Sequence, residues 1–134
     1  MLYYCYANYR HENNEDQDFN TAIRLAQHKG INVAYSNDAF ELWFILHLNF
    51  TDTALTRHEY YESLSKFFGF NYEKFGKEKD FAKSIYKILQ EYQPKAIQNA
   101  ERLHLKHGDD NFCKHNPCTT VYQLVLELNK CLKK

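Results

Sequence analysis

Between Ala39 and Phe50 the chain reads AFELWFILHLNF, apolar except at Glu41, His47 and Asn49. A bilayer takes about 20 apolar residues to cross, so this run is too short to span a membrane. A helix that is apolar on nearly every side must instead be surrounded by the rest of its own protein. The preceding triplet, Ser36-Asn37-Asp38, is polar. With Asp38 as N-cap, Glu41 falls at the third helical position, which makes an Asp-led capping box and suits the helix dipole. Ser36 and Asn37 are then turn residues. A carboxylate at the start of a fully buried helix also loses water, and such groups often carry chemistry. Spacing alone favours the capping role and leaves the chemical one open.

Upstream, LYYCYA (2–7) and INVAYS (31–36) read as buried strands. Between them, FNTAIRLAQHKG puts Phe19, Ala22, Ile23 and Ala26 on one helical face, with Gly30 as the stop. Strand, helix and strand in succession is the pattern of a parallel βαβ unit. The predicted fold class is α/β: a small parallel βαβ sheet followed by a mostly helical C-terminal region. Residues 1–50 are the α/β portion, and residues 51–134 are a helical portion packed on it in one compact domain.

Ligands of open parallel sheets bind beyond the carboxyl ends of the strands. The acidic loop 8–18, with Glu12, Glu15, Asp16 and Asp18, follows the first strand, and Ser36-Asn37-Asp38 follows the second. Both are therefore expected on one rim. Mg²⁺ takes carboxylate oxygens and keeps waters for a phosphate, so Glu41 with Glu12, Glu15 or Asp16 is the candidate metal set. A solvated acidic loop is the plainer reading. A sheet this small is also expected to leave an edge strand open to self-association or to a larger partner.

Beyond Phe50 the spacing is helical. TRHEYYESLSKFFG ends at Gly69, DFAKSIYKILQEY carries Phe81, Ile85, Ile88 and Leu89, PKAIQNAERLHLKHG opens on Pro94, and Val121, Leu124, Val125 and Leu128 share a face of the last helix. Residues 1–54 hold 3 basic and 7 acidic side chains, and the remainder 14 and 10. An acidic front and a basic back suit a metal site beside a phosphate surface, although two solvated faces would look the same. In NYEKFGKEK (71–79), aromatics alternate with Lys74, Lys77 and Lys79, as in surfaces that stack bases and meet phosphates; a solvated hinge is the plainer alternative. His104, His107, Cys113, His115 and Cys118 do not have the paired spacing of a structural zinc site, and Pro117 at a helix start accounts for much of that stretch. Four cysteines lack a disulfide-framework spacing, and no secretory signal pattern opens the chain. The expected compartment is the cytoplasm.

Several stretches together resemble the RloB-like family of prokaryotic anti-phage (abortive-infection) loci. VAYSNDAFELWFILHLNF (33–50) is similar to its hallmark of a strand, Ser-Asn, Phe-Glu-x-Trp and a Leu-His ending. NYEK (71–74), AIQNAERL (96–103) and NPCTTVYQLVLEL (116–128) resemble its Tyr-x-Lys element and closing helices. The resemblance implies a Toprim-like α/β fold with an added helical region, encoded beside an ATPase partner. In that fold an early glutamate and a later Asp-x-Asp bind Mg²⁺ for phosphodiester chemistry. Here the segment with the early glutamate is missing, which implies an N-terminally truncated member, and NYRHEN stands where Phe-Asp-x-Asp is expected.

Two functions follow. In a metal-dependent nuclease, Glu41 and Asp16 would be catalytic, Glu41, Glu12, Glu15 and Asp16 would hold Mg²⁺, and Ser36, Asn37 and Lys74 would contact nucleic acid. In a non-catalytic module, the same fold would bind a partner ATPase, a nucleic acid or a second copy of itself.

Overall fold

The structure is a computed structural model that describes the backbone of residues 2–9 and the backbone and side chains of residues 16–133. The apolar run forms α2 (Glu41–Leu48) and lies at the centre of the larger core. Four later helices surround it. They are α3 (Arg57–Phe68), the single turn α4 (Tyr72–Phe75), α6 (Gln93–His104) and α7 (Val121–Leu132). Leu42 and Leu46 pack with Tyr60 and Leu64 of α3 and with Leu103 of α6. Each such buried leucine contributes about 1.5–3 kcal/mol. Ala96 and Ala100 are fully buried on α6, small enough to let that helix lie close. Lys95 and Asn99 of α6 donate to the carbonyls of Leu48 and Leu46, capping groups that the end of α2 would otherwise leave unsatisfied. Before α6, α5 (Lys79–Leu89) runs into a 3₁₀ turn, Gln90–Tyr92.

A second, smaller core joins Phe19 and Ile23 of α1 (Asp16–His28) to Val33 and Tyr35 of the strand Ile31–Asn37, and to Cys113 and Cys118. Gly30, at φ 75°, makes the turn from α1 into that strand, a conformation that glycine adopts without steric cost.

The predicted α/β class, a small parallel βαβ sheet bearing the helices, is overturned. Residues 16–133 are 66% helical, with a single strand and no sheet of their own. We number that strand β2; the backbone of β1 (Leu2–Tyr9) runs parallel beside it, with Leu2 opposite Ile31 and Tyr9 opposite Asn37. No further strand widens the pair among the described residues. Two strands span only about 5 Å from axis to axis, too narrow a platform for five helices. The helices therefore organise around α2 instead. The expected open edge is also partly covered, because Ser36 bridges antiparallel to Thr119 and Asn37 N–H donates to the Cys118 carbonyl.

Pro117 does not start a helix: α7 begins at Val121. Residues 118–120 are held against β2 first, where Thr120 N–H donates to the Tyr35 carbonyl and Tyr35 N–H donates to Thr120 Oγ1.

Candidate functional site

The junction between β2 and α2 gathers the polar residues that the sequence singles out, and it does so underground. Asp38 adopts φ 67°, a left-handed conformation that Asp tolerates better than most residues. The position before α2 is Phe40, already helical and without a side-chain cap, so Glu41 is the first helical residue. The expected Asp38–Glu41 capping box does not form. One extra residue in helical conformation and one left-handed residue place the two carboxylates out of capping register.

Glu41 is 4% exposed, and its Oε1 accepts a hydrogen bond from the Tyr72 hydroxyl at 3.2 Å. Burial, and then the Glu41 carboxylate, push the Tyr72 hydroxyl well above the ordinary tyrosine range. The pair thus keeps Tyr72 protonated as the donor. Ser36 and Asn37 are fully buried. Ser36 Oγ lies 2.6 Å from Thr119 Oγ1. Asn37 Nδ2 donates to the carbonyls of Phe112 at 2.8 Å and His115 at 2.6 Å. Two carbonyl acceptors fix which end of that amide is nitrogen, and they leave Asn37 Oδ1 as a buried acceptor with no partner.

The segment that Asn37 holds carries its own relay. His115 Nε2–H donates to Asp109 Oδ1 at 2.8 Å, and the Tyr35 hydroxyl lies 3.0 Å from His115 Nδ1. The Tyr35 hydroxyl can donate to Nδ1 when that nitrogen carries no proton. Burial raises the Tyr35 hydroxyl far above its ordinary range, and the bond to His115 lowers Asp109. The Cys118 thiol, 3.9 Å from the Tyr35 hydroxyl, is pushed up to about 12 by burial. Asn20 of α1 closes the network through Cys113 N–H, at 2.8 Å, and Asn111. Together these contacts hold the segment 109–120 against β2 and α1.

Of the other predicted residues, Asp16 is the first residue of α1, where its carboxylate accepts from Lys114 at 3.2 Å. Lys74 is exposed on α4 with Nζ 5.2 Å above the Phe75 ring, while its neighbour Tyr72 is buried. Glu12 and Glu15 lie outside the described residues. No group of three His, Cys, Asp or Glu side chains able to hold a metal occurs among the described residues, which covers the zinc candidates as well. Of the residues that complete the site, Tyr72 stands in the NYEK stretch and His115 among the residues weighed for zinc, whereas Thr119 and Asp109 had no signal in the sequence.

The fold is a mostly helical domain whose strand end is locked by buried polar side chains. The RloB-like protein family model matches residues 8–128, and the chain belongs to that family. No curated protein and no solved structure matches it. No helix among the described residues is long and apolar enough to cross a membrane.

Proposed function

We propose that this chain serves an anti-phage, abortive-infection system as a non-catalytic component that docks on a partner ATPase, in place of an autonomous Toprim-type nuclease. The observation that supports this reading is the internal engagement of the Ser36, Asn37 and Glu41 side chains. A residue that orients a phosphate must present its polar atoms to solvent. Here Ser36 faces Thr119, Asn37 faces two backbone carbonyls, and Glu41 faces Tyr72. No group of three His, Cys, Asp or Glu side chains able to hold a metal forms here among the described residues, a poor fit for Mg²⁺ without further acids.

One observation favours the nuclease reading, in which Glu41, Asp16, Glu12 and Glu15 hold Mg²⁺ and Lys74 meets a nucleic-acid phosphate. The Asn37 Oδ1 atom is a buried acceptor without a partner, four residues from Glu41. Metal linkage separates the two readings. A site filled at a hundred times its Kd adds about 2.7 kcal/mol, several degrees in a domain of this size. The docking reading predicts that Mg²⁺ or Mn²⁺ moves the melting temperature by no more than about a degree or two, and that no plasmid or single-stranded oligonucleotide is cut. A shift of several degrees that disappears in Glu41→Gln would restore the nuclease.

A further inference from the structure

A groove of about 580 Å³ opens between α5 and α7, with α2 as its floor. Trp43 and His47 form the floor, Tyr86 and Leu89 one wall, Leu128 and Leu132 the other. Tyr86, Leu128 and Leu132 are 52%, 55% and 73% exposed. Exposed apolar surface concentrated in one concave place marks an interaction site more often than chance. Along α7 the lining runs from Val125 to Leu132, about two helical turns.

The α5 side of this groove is predominantly basic, with three lysines against one acid, Asp80, within the helix. Lys79, Lys83 and Lys87 are exposed and spaced four apart, which aligns them as a stripe along α5. Tyr86 follows Lys83 by three residues and Gln90 follows Lys87 by three, so the stripe borders the groove. None of the residues lining the groove is acidic. Of the nearest acids, Glu127 accepts from Lys130 and Glu91 bonds the Tyr92 hydroxyl, while Asp80 is exposed near the start of α5. A second copy of the chain would bring its own lysine stripe and the basic end of α7 to this face, and like charges brought together oppose such a pairing.

We propose that the groove receives an amphipathic helix of a partner protein, apolar on one face and acidic along its flank. Apolar side chains at every third or fourth position would drop between α5 and α7, and glutamates beside them would meet the Lys79–Lys83–Lys87 stripe. The proposal rests on the docking role above and assigns that role a surface.

The test uses a dye-labelled synthetic helix about four turns long, with leucines on one face and glutamates on its flanks. A scrambled peptide of the same composition and a version with lysine for every glutamate are the controls. Binding is read by anisotropy and by the emission of Trp43, the sole tryptophan of the chain. The acidic helix should bind saturably, shift Trp43 emission and exceed the lysine version by about tenfold or more. Leu128→Glu, at an exposed position, should weaken it by roughly tenfold with an unchanged melting temperature. Lys83→Glu with Lys87→Glu should weaken it several-fold and flatten its salt dependence.

Equal binding of all three peptides, or none with Trp43 emission unmoved, would overturn the proposal. So would dimerisation of the chain that Leu128→Glu abolishes and the acidic helix does not compete away. Failure here alongside metal-independent melting removes the groove alone, whereas a metal-linked melting shift removes the docking role.

Discussion

Glu41 shows how a spacing rule can select the right residue for the wrong reason. Three residues from Asp38 is capping distance in the sequence, but Asp38 turns left-handed and Phe40 is already helical. The carboxylate instead meets a hydroxyl 31 positions away, and no local pattern encodes a contact of that range. Ser36 and Asn37 were legible as important and illegible as buried, because their partners lie 75 to 83 positions downstream. The internal role of Asn37 is directly testable. Asn37→Ala leaves the His115 carbonyl without its donor, and an unsatisfied buried acceptor costs about 1–3 kcal/mol. Asn37→Asp should cost more, because it turns a carboxylate toward two carbonyl oxygens. Urea unfolding of the two variants measures both. Stability unchanged in either would mean that Asn37 is not holding the fold.

At the scale of elements, local chemistry was a better guide. α3 ends at Gly69, φ 78°, as its sequence indicates. Its start carries the capping box that α2 lacks: Glu59 N–H donates to Thr56 Oγ1 at 3.3 Å and Thr56 N–H to Glu59 Oε2 at 2.7 Å. Thr56→Ala should therefore cost about 1 kcal/mol. The bond from the Thr56 backbone, together with its hydroxyl, depresses the Glu59 carboxyl. A group depressed in the folded state stabilises above its unfolded pKa, and that contribution fades as pH falls through the folded value. The penalty of Thr56→Ala should accordingly shrink in acid, as denaturation midpoints near neutrality and below pH 4 would reveal. Pro117 misled because proline at a helix start is a common device, while here the chain must first lie against β2 through Cys118 and Thr120. Helical spacing found α5, and the exposure of Tyr86 beside Leu89 shows that its apolar face is only partly used.

At the scale of the molecule, the strand–helix–strand order at the front was readable, and the class of fold drawn from it was not. Sequence order says which elements neighbour each other and says little about which one the core chooses as its centre. The apolar run 39–50 decides that, because a helix apolar all round has to be enclosed, and α3, α6 and α7 enclose it. The Glu41–Tyr72 bond ties the start of this central helix to α4 across the same core. A double-mutant cycle between Glu41→Gln and Tyr72→Phe, followed by denaturant unfolding with and without Mg²⁺, therefore tests the account most directly. It should return a coupling of about 1.5–3 kcal/mol, the range for a hydrogen bond to a charged group, and the same value when Mg²⁺ is present. A coupling near zero, together with wild-type stability that rises with Mg²⁺ and a Glu41→Gln variant that ignores it, would contradict the account and make Glu41 a metal ligand.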